Sequence, residues 1–401
     1  MHLSLRRAPV ALLLALTPVV APAPAAAHTA QPPTAAVAVA HSTRAVPGQY
    51  IVTLKHGRDP GELLRALGIT PRFTYTDVLN GFTATLDPLL LRAVRTNPAV
   101  AAVEENATIH VPAPTDDLDR PGPATRAPAA TWGLDRIDQR KLPLDGRFTT
   151  RGHGAGATAY ILDTGIDYTH PEFEGRAVPG FDAVGDGRNG LDCQGHGTHV
   201  AGTVAGRTYG VAPQADLVSV RIVDCTGNGD TAQMIAGLDW VAHHAQRPAV
   251  LNASVGEERS QALNNATTAL SDLDILPVVA AGNDAVDACT VSPASADWVV
   301  TVAATNRQDQ ESGFSNWGPC VTLHAPGQDI QSAKLGGGST TQSGTSMAAP
   351  HVTGAAALYV AEHPDAYSTE TADFLVRSAT GDVLTDVHED TPNLLLFTDG
   401  L

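Results

Sequence analysis

Five short, almost wholly apolar runs, at 157–162, 215–222, 249–255, 275–281 and 298–303, are separated by Gly-rich turns and by stretches of helical pattern. A strand with one wet face alternates apolar and polar residues, so runs without alternation are covered on both faces. The stretch 233–242 supplies one such cover, because Met234, Leu238 and Val241 fall on one stripe of a helix. From Trp132 onward the chain is therefore predicted to be α/β, a three-layer fold with helices on both faces of a mostly parallel central sheet.

The preceding block has a different texture. Strand patterns at 50–54, 81–86 and 100–111 alternate with helical patterns at 59–67 and 87–96, which reads as a small βαββαβ, ferredoxin-like α+β domain. Ahead of it stand the basic start MHLSLRR, an apolar run at 8–20 and the small-residue stretch Ala25-Ala26-Ala27. That run is too short to span a bilayer and fits a cleaved export signal. The Pro-rich, patternless stretch 112–131 reads as an exposed linker. The expected division is thus a signal peptide at 1–27, a leader at 28–124 (folded core 46–111, linker 112–124) and a main domain at 125–401. The net charge is −17, with the acidic excess in 125–401. This disfavours nucleic acid and anionic membrane as partners.

Three polar residues stand at predicted element boundaries. Asp163 ends the apolar strand Ala159-Tyr160-Ile161-Leu162, where open α/β sheets carry their sites. His196 and His199 lie in the Gly-rich entry to an apolar helix. Their spacing could suit a metal, but no further Cys/His pair stands at ligand spacing, so a general base at 196 with a packed neighbour at 199 fits better. Ser346, in Gly344-Thr345-Ser346-Met347-Ala348, opens a buried helix whose N-terminal field favours developing negative charge. Ala348 stands where the elbow of an α/β-hydrolase needs glycine, which weakens an esterase reading. Together the three residue types would make a catalytic triad, in which serine attacks, histidine moves the proton and aspartate fixes the imidazole tautomer.

The motifs DTGID, GHGTHVAG and GTSMAAPHV resemble the signatures of the subtilases, and of their proteinase K and aqualysin branch, from about Trp132 almost to the C-terminus. The resemblance implies a subtilisin-like secreted serine endopeptidase with Asp163, His196 and Ser346 as its triad. It also implies Asn283, in Val278-Val279-Ala280-Ala281-Gly282-Asn283, as an oxyanion donor beside the Ser346 N–H. Gly227 and Gly229 (around Asn228) with Ser254, Val255 and Gly256 would pair with an extended peptide, and Ala280, Ala281 and Gly282 would wall a pocket for an apolar or aromatic side chain. Where the family shows another glycine, this chain has Glu257-Glu258, either a solvated loop or a subsite for basic residues.

Four cysteines allow three pairings, and the resemblance implies Cys193–Cys225 and Cys289–Cys320. It implies structural calcium at Asp135, Asp138, Gln139 and Asp145. Thr322 stands where a second calcium site would need an acid. No organic cofactor is expected. The 46–111 block resembles a prodomain that aids folding, inhibits the protease and is removed by self-cleavage within 119–127. The expected partners are peptide substrates and this propeptide, with the protein a monomer. The competing readings are a catalytically silent protein on the same fold, and an esterase.

Overall fold

Residues 36–111 and 131–401 are described by a computed structural model; the expected signal peptide and most of the expected linker lie outside them. In the small domain, Asp59 and Asp87 cap two helices that begin with proline, α1 (Pro60–Leu67) and α2 (Pro88–Thr96), by accepting from first-turn N–H groups. Gly68, left-handed at φ 64°, closes the first. The strands are β1 (Ala45–Leu54), β2 (Phe73–Tyr75), β3 (Gly81–Thr85) and β4 (Val100–His110), in the antiparallel order β4-β1-β3-β2 of a ferredoxin-like sheet. Alternation along β1 sends Val52 and Leu54 into a core with Leu63, Phe82 and Val94. Ile51 points to the other face, where it joins an apolar cluster shared with the main domain.

The main domain is built on a nine-stranded sheet, parallel except for the edge strand Thr380–Gly381. Its central strands are Leu276–Ala280, Ala249–Ala253, Thr158–Asp163 and Asp216–Arg221, side by side. Alternation again assigns the faces. Ala159 and Ile161 pack toward helices His196–Ala205 and Thr345–Glu362. Tyr160 and Leu162 pack toward helices Thr231–His244 and Gln261–Asp272. Each fully buried large apolar side chain contributes about 1.5–3 kcal/mol. The Thr345–Glu362 helix is apolar on all sides and rich in alanine because the sheet and other helices enclose it. The strand expected from 298 begins at Val300, since Trp298 takes a left-handed turn at φ 59°.

The two domains join edge to edge. β4 runs antiparallel to the Asn228–Asp230 strand, with Thr108, Ile109 and His110 opposite Asp230, Gly229 and Asn228. The Val111 N–H then donates to the Gly227 carbonyl at 2.7 Å. Residue 227 must be glycine for this approach, because a Cβ there would stand 2.1 Å from the Val111 oxygen. Among the described residues no helix is long and apolar enough to cross a membrane.

Candidate active site

Asp163 is the last residue of its strand, so its carboxylate emerges at the carboxyl end of the sheet. His196 opens the His196–Ala205 helix, and its Nδ1 lies 2.8 and 3.0 Å from the two Asp163 oxygens. Both side chains are buried. Glycine at 197 permits this packing, since a Cβ would stand 2.2 Å from the Gly165 carbonyl oxygen. Burial acts to lower the imidazole's pKa, but the charge and hydrogen bond of Asp163, with Asp192 behind them, outweigh it and leave His196 more basic than an ordinary histidine.

Asp192, which the sequence motifs did not single out, ties the strand end to the helix start. It accepts from the Thr164 hydroxyl at 3.0 Å and from the Gln194, Gly195 and Thr198 N–H groups. Its only trace in the sequence is an acid shortly before the Gly-His pair. His199 contacts the Ile330 and Thr340 carbonyls, and burial, then the neighbouring His196, pushes it down to about 3. It is a neutral packing residue.

Ser346 is the second residue of the Thr345–Glu362 helix, and Pro350 lies one turn further on. Proline has no N–H, so the Ser346 carbonyl lacks its helical donor. The Ser254 hydroxyl supplies one at 2.9 Å, and the Ser346 hydroxyl donates to the Ser254 carbonyl, also at 2.9 Å. Asn252 Nδ2 donates to Ser254 Oγ at 2.8 Å, and Asn252 Oδ1 accepts from Thr353 at 2.8 Å. Opposite, Asn283 Oδ1 accepts from the Thr345 N–H at 2.8 Å and the Thr345 hydroxyl at 2.9 Å, which leaves its amide nitrogen as the free end. A methyl built on Gly344 would meet Asn283 Nδ2 at 3.5 Å and the Ser346 nitrogen at 3.6 Å, so two N–H donors border one small space. His196, Ser346 and Asn283 line one cleft of about 800 Å³.

The sequence pattern of the Subtilase family matches residues 154–396. This chain belongs to the subtilase family. It is 42% identical to the extracellular serine proteinase of Thermus sp. (strain Rt41A), with 94% of each chain covered. Alkaline serine exoprotease A of Vibrio alginolyticus is 43% identical, over 79% of this chain and 58% of that protein. A solved cold-adapted subtilisin-like serine proteinase is 46% identical with a TM-score of 0.66, over 67% of this chain and 98% of that one. The subtilase is accordingly a serine protease, a hydrolase.

The other expected site residues of this subtilase are placed unevenly. Ser254, Val255, Gly256, Ala280 and Gly282 line the cleft. Gly227 and Gly229 sit at the edge that holds Val111 and β4. Ala281 does not join the wall: alternation turns it into a separate apolar cluster with Ala288, Ala303 and Val321. Cys193–Cys225 and Cys289–Cys320 are disulfides.

The Asp135 carboxylate accepts from the Asp145 and Gly146 N–H groups, Asp138 from the Thr149 N–H, and Gln139 donates to the Lys141 and Pro143 carbonyls. The donor chemistry suits a hard cation, and burial, then the charges of Asp135 and Asp145, pushes Asp138 up to about 6. Among the described residues, however, no group of three or more His, Cys, Asp or Glu is arranged to hold an ion.

Glu257 is not part of a solvated loop: it is 4% exposed and pairs with Ser292 across a short antiparallel bridge. Burial, followed by the nearby charges of Asp230, Glu104 and Glu258, pushes it up to about 8 despite a hydrogen bond from Thr231.

Proposed function

We propose that this subtilase is an endopeptidase in which Ser346 is the nucleophile, His196 the general base and acid, and Asp163 the group that fixes the ring. The observation that carries the reading is the buried Asp163–His196 pair sharing one cleft with Ser346 and Asn283. The Ser346 hydroxyl turns from the Ser254 carbonyl toward the imidazole, loses its proton to Nε2 and attacks the scissile carbonyl carbon. Negative charge on the carbonyl oxygen is met by Asn283 Nδ2 and the Ser346 N–H. Collapse expels the amine, which takes the proton from His196, and water then releases the acyl group by the same route. Ser346→Ala should lower kcat/KM on a fluorogenic peptide by at least about 10³-fold; retained cleavage would exclude the assignment. Relative rates on matched peptide and ester substrates separate a peptidase from an esterase.

Ala280, Gly256 and Gly282 leave room in the cleft for a large side chain, which supports cleavage after apolar or aromatic residues. Equal rates after Phe, Leu, Asp and Lys would refute that preference.

The 36–111 domain acts as a folding aid and built-in inhibitor, a reading supported by β4 occupying the Asn228–Asp230 edge that a peptide would pair with. Self-cleavage in 119–127 then predicts that Ser346→Ala accumulates the uncut chain. Export follows from the 1–27 leader and from the Thermus relative, which is named extracellular. N-terminal sequencing of protein in the medium tests both. Calcium would serve structure only if Asp135, Asp138, Gln139 and Asp145 draw together around it, since among the described residues they are not grouped as ligands. An unchanged melting temperature in EDTA would remove it from the account.

A further inference from the structure

The reaction above makes no use of the acids at one corner of the cleft. Glu257 and Glu258 line the same cavity as Ser346, and Asp230 stands close enough to act on Glu257 through its charge, as does Glu104 of the 36–111 domain. Glu257 is itself 4% exposed, and its Oε1 has no hydrogen-bond partner at all. Its Oε2 receives one bond, from the Thr231 hydroxyl at 2.8 Å. A buried carboxyl with one oxygen unanswered is costly, and it marks a place where a donor is missing.

What covers this corner is the 36–111 domain, which brings Glu104 toward Glu257 but otherwise meets the acids with donors and cations. The Ser42 hydroxyl and the Thr43 N–H donate to Glu258 at 2.9 and 3.0 Å. Arg44 lines the cleft and its charge acts on Glu258. Arg72 pairs with Asp230 at 2.5 Å. Glu257 is the exception, and the reason is local. The segment of β4 that passes it presents Ala107, whose N–H donates to the Thr231 hydroxyl at 3.3 Å but whose methyl offers nothing to a carboxyl.

The path of β4 gives this corner an address along a bound chain. Val111 reaches the Gly227 carbonyl, His110, Ile109 and Thr108 pair along Asn228–Asp230, and Ala107 then lies against Thr231. A peptide following the same edge carries its residue at the Ala107 place over Thr231 and Glu257. When the covering domain leaves, Arg44, Arg72 and Glu104 leave with it, water reaches Glu257 and the carboxyl ionises, so the corner becomes a negative patch of Glu257, Glu258 and Asp230, with the neighbouring Arg259 directed to Gln261.

We propose that in the released protease Glu257 and Glu258, with Asp230 beside them, form an acidic subsite that selects lysine or arginine in the substrate residue taking the place of Ala107, four positions before the one seated as Val111 is. The inference rests on the protease reading above and adds a second determinant to it, remote from the bond that is cut.

Competing internally quenched peptides test it, with arginine, alanine or glutamate placed in turn at each of the third to seventh residues before the cleaved bond. They are cut by the secreted product of the full chain, by Glu257→Gln and by Glu258→Gln. At one of these positions arginine is expected to exceed glutamate in kcat/KM by about tenfold, since the patch attracts one and repels the other. Either substitution should reduce that ratio to about threefold or less. Glu258→Gln, at the more exposed position, keeps the test alive if Glu257→Gln folds poorly. Cleavage of all peptides with no position showing an arginine preference, or a preference that neither substitution changes, overturns the subsite alone. No cleavage of any peptide by the unaltered protein overturns the protease reading and the subsite together.

Discussion

Ser254 and Ser346 exchange hydrogen bonds across the cleft, each hydroxyl donating to the other's carbonyl at 2.9 Å. The exchange answers a vacancy made by Pro350, which cannot donate to the Ser346 carbonyl one turn back. The Ser346 side chain is thus oriented by a strand end far away in sequence, and behind it by Asn252 and Thr353.

Ser254→Ala should leave the Ser346 carbonyl buried without a donor, at a cost of about 1–3 kcal/mol. The expected result is a fall in kcat of about tenfold with a small change in KM, together with a lower melting temperature. Unchanged kcat would show that Ser346 is oriented by other means.

Asn283→Ala should cut kcat by about 10² to 10³ and leave KM nearly unchanged, as expected for a donor that acts on the developing oxyanion. Asn283→Asp keeps an acceptor for Thr345 but supplies no donor and adds a negative charge. It should be at least as inactive, whereas activity retained in the aspartate variant would assign Asn283 to loop support alone.

The grip of the 36–111 domain should weaken as pH rises. Burial raises the pKa of Glu257 to about 8, and raises Glu104 and Asp239 at the same junction. A carboxyl whose docked pKa is raised holds its proton better docked than free. Its contribution to docking is therefore full below the ordinary carboxylate value and is lost as pH climbs toward about 8. Asp230 and Glu258 face Glu257 with the same sign, and Arg72 is engaged by Asp230. After the chain is cut, latency should decay about tenfold faster at pH 9 than at pH 5, measured as the appearance of peptidase activity against time. Glu257→Gln should flatten that dependence, and faster decay at the acid end would reverse the sign and refute the account.

The Cys289–Cys320 bridge closes a span of 31 residues, worth about 3–4 kcal/mol on the chain-entropy model. That span contains Asn316, whose Oδ1 accepts from the Asp284 and Val286 N–H groups at 3.0 and 3.1 Å and so braces the loop carrying Asn283. Replacing both cysteines by serine should lower the melting temperature by about 6–12 °C. Activity should be lost on heating before the fold is, a separation visible by comparing residual turnover with circular dichroism.

Asp163 and His196 were legible in the sequence because each sits where an apolar strand or helix meets a glycine, and those boundaries are local. The three layers were legible for the same reason: covered strands lose their alternation. What the sequence hid is non-local. Pro350 reveals a missing donor, but nothing near it names Ser254 as the replacement. Ala280 and Ala281 look alike in a run of small residues, and only the set of the strand decides which one faces the cleft. Glu257 resembles a surface acid until another domain is laid over it.

That other domain carries one further consequence. Ile51, Tyr75, Val78 and Ile109 belong to the same apolar cluster as Ile235 and Leu238 of the main domain, so parting the two strips oily surface bare on both sides. The peptidase can offer its bared strip to the next polypeptide that arrives. On the proposed propeptide reading, the released piece would have no such use for its own strip, and an adhesive fragment beside an open cleft would be the nearest polypeptide to cut.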